Sequence, residues 1–130
     1  MLTNLGRMVI LVKDYEEAIK FYTEKLGFQK FLDIKEGNKR YVHLQISTRE
    51  ETGIWLLKAE SEKELSQVGN QTSGQPCAVI YTKDVEKTYK KFSSKGVNFI
   101  KPPKAGDSAK FAHFLDLYGN EFVLTEILEK

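Results

Sequence analysis

The sequence predicts an α+β fold built from two βαβββ modules, and three observations support that prediction. The chain has 130 residues, 41% of them hydrophobic, which is enough to bury the core of one domain over residues 1–130. Short apolar runs rich in β-branched residues alternate with two amphipathic helical segments. The order of elements in the first half then recurs 70 residues later.

Module one, predicted at about residues 1–68, opens with a buried strand and a helix. Residues 8–12 form a β-branched apolar run that is typical of a strand. Asp14 is a good helix N-cap, and Glu17 three residues later completes the pattern of a capping box. Gly27 is a good helix stop. An apolar stripe at helical spacing joins these two ends and predicts a helix near residues 15–26: Ala18, Phe21, Tyr22 and Leu26.

Three strands follow this helix and complete the module. They are predicted at residues 28–34, 40–47 and 53–58, with a turn at 36–38 between the first two. Residues 59–68 are charged with sparse apolar positions and predict a short surface helix. Residues 69–76 are polar, contain two glycines and end in Pro76, which is typical of a linker.

Module two is predicted at about residues 77–130 and repeats the same order of elements. A strand at 77–81 precedes a helix near 85–95, which begins at the capping residue Asp84 and stops at Gly96. A strand at 97–101 is expected to end at the Pro102-Pro103 pair, because proline cannot donate to a strand ladder. The last two strands, 111–115 and 121–127, are joined by a turn at 118–120.

The repeat carries a functional implication. His43 and His113 each lie 29 residues after the capping aspartate of their own module, which supports a true duplication. Each helix covers one face of its sheet, and the other face must meet its twin, a second chain or a ligand. Two curved sheets paired in this way, with the helices outside, enclose a central cavity. Function is therefore expected on the sheet faces that turn away from the helices.

Composition excludes several classes of function. Twenty basic and 18 acidic residues give a net charge of +2, which argues against nucleic acid or an anionic membrane as a partner. The apolar run at residues 8–12 is far shorter than the roughly 20 residues that span a bilayer. Cys77 is the only cysteine, so no internal disulfide forms and a reducing compartment is favoured. We expect a soluble, cytoplasmic protein.

Strand alternation identifies candidate pocket residues. It groups Tyr41, His43 and Gln45 on one face of the third strand, and the apolar residues between them pack on the helix. By the repeat, Phe111 and His113 lie on the equivalent face. Two interpretations stay open for the histidines. They form a metal or acid–base site with Glu121, or they are polar pocket residues that hydrogen-bond a ligand or each other.

Two segments resemble the vicinal oxygen chelate superfamily, which includes glyoxalase I, bleomycin-resistance proteins and extradiol dioxygenases. Residues 12–28, VKDYEEAIKFYTEKLGF, are similar to the V-x-D, F-Y and L-G-F pattern that opens its members. Residues 116–120, DLYGN, are similar to its closing D-P-D-G-N turn. The resemblance covers nearly the whole chain and implies the fold, whereas function in this superfamily depends on the site.

The resemblance implies a divalent metal held by side chains from the first and last strand of each module. In this sequence those positions carry Arg7, Trp55, Cys77 and Val123. A guanidinium repels a cation, tryptophan and valine offer no suitable donor, and a lone cysteine does not make a site. The implied metal site is therefore absent, and no cofactor is expected.

These four positions have other interpretations. Arg7 recognises an anionic ligand or is a charge at the end of a strand, and Arg40 is read as a solvated charge. Trp55 is a stacking wall or part of the core. Cys77 is read as a small apolar residue and not a nucleophile. The predicted ligand-binding cavity comprises Arg7, Tyr41, His43, Trp55, Cys77, Phe111, His113, Glu121 and Val123.

The function expected from these residues is binding of a small molecule without a metal, as in the bleomycin-resistance branch. The alternative is a metal-dependent lyase, isomerase or dioxygenase resembling glyoxalase I, with a divalent metal held by His43, His113 and Glu121. A third possibility is a regulatory module that senses a metabolite. Whether the protein is an enzyme stays open. The resemblance also implies a homodimer joined along the first strands, residues 7–12 and 77–82.

Overall fold

The computed structural model describes residues 1–47 and 52–128, and the chain divides into two compact units. Met1–Val68 is called module one below, and Gly69–Lys130 is called module two. Each module contains a four-stranded mixed sheet and the succession of strand, helix and three strands. The predicted α+β class and the two βαβββ modules are therefore confirmed.

Module one has the sheet order β1-β4-β3-β2. β1 runs parallel to β4, and the other two pairings are antiparallel. The main helix continues into a short π-helical turn at Phe21–Lys25. The elements are β1 (Arg7–Val12), α1 (Tyr15–Lys20), β2 (Gln29–Glu36), β3 (Lys39–Gln45), β4 (Gly53–Lys58) and α2 (Glu62–Gln67).

Module two has the equivalent order, β5-β8-β7-β6, again with one parallel pairing, between β5 and β8. The predicted repeat of strand order is thus confirmed. The elements are β5 (Pro76–Tyr81), α3 (Val85–Ser94), β6 (Asn98–Ala105), β7 (Ala109–Leu115) and β8 (Glu121–Ile127).

Among the described residues, no helix has the length and apolar composition needed to cross a membrane.

The two main helices begin and end as the sequence predicts. The Asp14 carboxylate accepts a hydrogen bond from the Glu17 amide at 2.9 Å, and Asp84 accepts one from the Lys87 amide at 3.0 Å. Gly27 and Gly96 follow the helices with φ of +79° and +87°, a backbone conformation that favours glycine. These interactions fix where each helix meets its sheet.

The π-helical turn explains why the main helix of module one is one residue longer than that of module two. Within it the Leu26 amide donates to the Phe21 carbonyl, five residues earlier, at 3.4 Å. Such a turn accommodates one extra residue in a helix. The interval from Asp14 to Gly27 is accordingly one residue longer than the interval from Asp84 to Gly96.

The prediction that the strand at 97–101 ends at Pro102-Pro103 is wrong, because β6 continues to Ala105. β6 is an edge strand, and its pairing with β7 shifts register between Lys101 and Lys104. The two prolines therefore lie in a bulge where no ladder amide is required. This bulge leaves the proline segment beside the helix-free face of the sheet.

The core of each module lies between its helix and its sheet. Val42, Leu44 and Leu56 are fully buried in module one, while the residues between them on β3 and β4 are only partly buried. In module two Phe114 and Phe122 are buried, and their rings stack at a centroid distance of 5.4 Å. The predicted alternation on β3 is confirmed, and it leaves His43 and its neighbours on the helix-free face.

Candidate functional site

The strand ladders define which residues of the two modules are equivalent. His43 lies opposite Trp55 in the β3–β4 pairing, and His113 lies opposite Val123 in the β7–β8 pairing. On the other side of the same strands, Val9 pairs with Trp55 and Val79 with Val123. Position 55 therefore matches 123, and position 7 matches 77. This agrees with the equivalence that the family resemblance implies.

On the helix-free face of module one, His43 packs against Trp55. Their ring centroids are 5.7 Å apart and the rings are tilted by 47°. Burial and the nearby charge of Arg7 lower the pKa of His43 below its usual value. A lowered pKa favours the neutral imidazole at neutral pH. This part of the face therefore offers a neutral ring, an indole and a guanidinium.

Arg7 belongs to a packed contact at one end of this face. Its guanidinium carbon lies 4.7 Å from the centroid of the Phe31 ring, a cation–π distance. Its Nη1 donates to the Gly6 carbonyl at 2.7 Å. Because β1 and β2 are the two edge strands of the sheet, this contact links opposite edges. The charge of Arg7 is thus fixed in place rather than loosely solvated.

Arg40 is held in an ion-pair network and is not simply a solvated charge. Its guanidinium donates twice to the Asp33 carboxylate, at 2.9 and 2.8 Å, and contacts Glu16 at 2.6 Å. This arrangement keeps the pKa of Asp33 well below its usual range. The network lies between β2, β3 and α1. It corrects the interpretation of Arg40 that sequence alone suggests.

On module two, His113 and Glu121 form a close pair. The Nδ1 of His113 lies 2.7 Å from a carboxylate oxygen of Glu121, and the two side chains are only 19% and 15% exposed. A carboxylate oxygen accepts hydrogen bonds, so Nδ1 is the donor in this contact and Nε2 is left for a ligand. Glu121 therefore orients the ring of His113.

A pocket of about 720 Å³ lies beside this pair. Phe111 and His113 line it from β7, and residues 101–106 of the bulged β6 segment form the opposite wall. Phe111 and His113 were predicted to line a cavity, whereas the wall at residues 101–106 was not predicted. The Pro102-Pro103 pair was the available signal, because prolines inside a strand indicate a bulge on an edge strand.

Cys77 and Val123 complete the residues predicted for module two. Burial, with the neighbouring negative charges of Asp116 and Glu121, raises the pKa of the Cys77 thiol to about 11. A thiol with this pKa stays protonated at neutral pH and is a poor nucleophile and metal ligand. Val123 lies between Val79 and His113 across the strands and offers no donor atom.

These residues do not fit the metal that the superfamily resemblance implies. Module one offers a guanidinium and an indole at the two ligand positions, and module two offers a protonated thiol and an isopropyl group. In the described part of either module, no three His, Cys, Asp or Glu side chains lie close enough to hold a metal ion. Of the alternative set, His113 and Glu121 lie together in module two, whereas His43 belongs to module one.

Comparisons with known proteins agree with this fold. A family model for the Glyoxalase/Bleomycin resistance protein/Dioxygenase superfamily matches residues 4–124. A protein from Shewanella frigidimarina is 30% identical over 132 aligned positions, covering 100% of this chain and 98% of the relative. The Bacillus subtilis protein YurT is 32% identical over 124 positions, covering 93% of this chain and 94% of its own.

Solved structures give the same result. The crystal structure of UcmS2 has a TM-score of 0.87 at 27% identity and covers 97% of this chain and 99% of its own. TnmS3, an antibiotic-binding protein from a Streptomyces species, has a TM-score of 0.82 at 21% identity, covering 98% of both chains, and shows likeness of fold alone. The chain belongs to the Glyoxalase/Bleomycin resistance protein/Dioxygenase superfamily.

Proposed function

We propose that this protein binds an organic small molecule in the pocket of module two, without a metal ion. The observation that carries the proposal is that His113, which is paired with Glu121, lines a pocket of about 720 Å³. Ligand pockets of roughly 300–1,000 Å³ with apolar walls and a few fixed polar groups are typical of small-molecule sites. This pocket has that size and that chemistry.

The walls favour an apolar ligand body with at least one polar group. Phe111 and the two prolines supply carbon surface, and Phe111 is 42% exposed despite its large ring. Covering such a surface with a ligand removes it from water, which is favourable. Nε2 of His113 then accepts a hydrogen bond from the ligand, and Lys101 and Lys104 add positive charge to the wall.

The fold supports a binding role without specifying the ligand. TnmS3 is an antibiotic-binding protein, so a chain of this fold can bind an organic small molecule. The residues at the four superfamily ligand positions also favour binding over the metal-dependent alternative. The charge of Arg7 and the protonated thiol of Cys77 both disfavour a divalent cation.

A second candidate function is acid–base catalysis without a metal, and the short His113–Glu121 contact is the observation that favours it. A carboxylate that orients imidazole Nδ1 leaves Nε2 positioned as a general base. In this candidate, His113 removes a proton from a ligand held against Phe111. A bound compound that turns over, and stops turning over in His113→Gln, distinguishes this candidate from binding alone.

A cytoplasmic location and a homodimer are part of the same proposal. The single cysteine favours a reducing compartment. β1 and β5 each form an edge of their own sheet, and unpaired strand edges invite association through a two-fold interface. Neither nucleic acid nor a membrane is an expected partner at a net charge of +2.

The experiment is a thermal-shift screen of aromatic and anionic metabolites, with elemental analysis of the same purified protein. We expect at least one compound to raise the melting temperature, because a ligand that binds only the folded state stabilises it. We expect no stoichiometric Zn, Ni, Fe or Mn, and no change of melting temperature with a chelator. Phe111→Ala and His113→Gln should each abolish the shift that the compound produces.

Ile34→Ala is the matched control. Ile34 lies on module one and, like Phe111, is 42% exposed, so its truncation removes similar apolar surface away from the proposed pocket. The compound should stabilise this variant as it stabilises the wild type. Equal loss of the shift in Ile34→Ala and Phe111→Ala would overturn the assignment to module two. One tightly bound metal per chain would overturn the metal-free proposal.

A further inference from the structure

Module one contains a separate pocket where β3 and β4 move apart. The ladder between these strands runs from Gln45–Gly53 to Val42–Leu56 and stops at that second pair. Beyond it a pocket of about 610 Å³ opens between the start of β3 and the end of β4. The residues that line it are Tyr15, Lys35, Asn38, Lys39, Arg40, Tyr41, Trp55, Leu57, Lys58 and Glu60, and we call it the lysine pocket.

The Tyr15 hydroxyl keeps this gap from collapsing. It donates to the Arg40 carbonyl at 3.4 Å and accepts from the Lys58 amide at 3.2 Å. One hydroxyl from α1 thus bridges the two strands just beyond the last pair of their ladder. Because these backbone groups are satisfied by a side chain, the strands stay apart without a direct hydrogen bond.

The inner wall of the lysine pocket is aromatic. Tyr41 and Trp55 line it from adjacent strands, together with Leu57. Aromatic side chains of this kind stack on flat apolar groups. This wall therefore fits a flat apolar group.

The outer part of the lysine pocket carries uncompensated positive charge. Lys35, Lys39 and Lys58 are exposed, and none forms an ion pair with a described residue. Arg40 also lines the pocket, but Asp33 and Glu16 already neutralise it. Glu60 contributes the only carboxylate among the lining residues. Three free ammonium groups therefore face one carboxylate.

We propose that the lysine pocket binds a second ligand, an organic anion whose carboxylate or phosphate lies among the three lysines and whose flat apolar body packs on Tyr41 and Trp55. Ammonium groups form charge-assisted hydrogen bonds with such anions, and aromatic faces stack on flat groups. This site shares no residue with the pocket of module two. It therefore goes beyond the proposed function and does not depend on it.

Trp55 is the only tryptophan of the chain, so its fluorescence reports on this pocket. The probes are phenylacetate, phenyl phosphate and phenylacetamide, which absorb little where indole is excited. We expect at least one anion to change the Trp55 fluorescence in a saturable way. The neutral phenylacetamide should bind more weakly by about tenfold or more, because it loses one charge-assisted hydrogen bond. The tighter anion distinguishes a carboxylate ligand from a phosphate ligand.

The triple variant Lys35→Gln/Lys39→Gln/Lys58→Gln should weaken the better anion by about tenfold or more while the melting temperature stays near that of the wild type. The matched control is Lys87→Gln/Lys90→Gln/Lys91→Gln, which removes the same charge from exposed positions of α3 and should bind normally. Equal affinity for phenylacetate and phenylacetamide, or equal weakening by both triple variants, would overturn the proposal.

The Phe111→Ala variant separates this site from the pocket of module two. The change in Trp55 fluorescence on adding the anion should persist in this variant. If Phe111→Ala abolishes the Trp55 response, the anion binds in module two and the lysine pocket is not its site. If no anionic probe changes the fluorescence up to solubility, the proposal is overturned while the thermal-shift screen remains an independent test of module two.

Discussion

The two modules share one strand order, yet they place different chemistry at matching positions. His43 packs against Trp55 in module one, whereas His113 forms a hydrogen bond with Glu121 in module two. The residue that matches Glu121 is Gly53, and a Cβ there would lie 1.9 Å from the Leu44 carbonyl oxygen. Module one therefore has no room for the carboxylate that fixes the histidine of module two.

This difference teaches that the two modules share a scaffold and not a site. The buried faces are alike, because packing against a helix demands large apolar residues in both modules. The helix-free faces carry no such demand and differ. One is cationic and aromatic, while the other carries a carboxylate–imidazole pair. The predictions below test this comparison, from the largest expected effect to the smallest.

The largest effect is expected at the turn between β7 and β8. The buried Asp116 carboxylate accepts hydrogen bonds from the Tyr118 amide, the Asn120 amide and the Asn120 side chain, each at 2.9 Å. Asp116→Ala leaves these donors without that acceptor, so we expect the free energy of unfolding to fall by about 2–4 kcal/mol. Urea denaturation followed by circular dichroism measures it.

Asp107→Ala is the control for this prediction. Asp107 is an exposed residue between β6 and β7, and its removal should change stability by less than about 0.5 kcal/mol. In module one the connection between β3 and β4 is longer, and residues 48–51 of it lie outside the described part of the chain. A loss in Asp116→Ala no larger than in Asp107→Ala would show that this turn does not organise module two.

The fold was predictable because its signals are local. The Asp14 and Asp84 caps, the glycines that end the helices and the alternation on β3 depend on neighbouring residues along the chain. The π-helical turn and the continuation of β6 through Pro102 were not predicted, since each depends on how an edge or a helix packs against the sheet.

The site was predictable only in part. Alternation predicts His43 and His113 on the helix-free faces, and Glu121 is a member of one of the two sites that the sequence leaves open for them. The pocket wall at residues 101–106 was not predicted, and of the residues that line the lysine pocket only Tyr41 and Trp55 were predicted to line a cavity. Both arise where strand ladders are interrupted, by a bulge in β6 and by the separation of β3 from β4, and strand interruptions leave little trace in a hydrophobic pattern.

A smaller effect is expected at the β2–β3 hairpin. Module one closes this hairpin with the Arg40–Asp33 ion pair, whereas the β6 strand of module two carries prolines in its bulge. Both partners are about one-fifth exposed, so we expect Asp33→Asn to cost about 1 kcal/mol at neutral pH. Chemical denaturation measures the loss, with the exposed Glu62→Gln of α2 as a control that should be neutral.

The pH dependence of this variant gives a further check. The lowered pKa of Asp33 means that the pair contributes stability above the unfolded pKa of about 3.9 and loses it as the pH falls through the folded pKa. The difference in the free energy of unfolding between the wild type and Asp33→Asn should therefore shrink as the pH falls. A difference in the free energy of unfolding that stays constant down to about pH 2 would contradict an ionised Asp33 at this site.

The smallest effect is expected at His43, and it has the opposite origin. Burial and the charge of Arg7 lower its pKa, so between the unfolded value of about 6.5 and the lower folded value the unfolded chain binds more protons. This group therefore costs stability as the pH falls through that window. His43→Gln cannot be protonated there, so acidification should destabilise it slightly less than the wild type.

Denaturation at about pH 7.5 and pH 5 measures this difference in acid sensitivity, which should be smaller than the loss of stability in Asp33→Asn. Tyr41→Phe, on the same face, is the control and should follow the wild type. An equal acid sensitivity of wild type and His43→Gln would mean that His43 titrates alike in the folded and unfolded chain, and that the helix-free face of module one is not the desolvated, cationic surface inferred above.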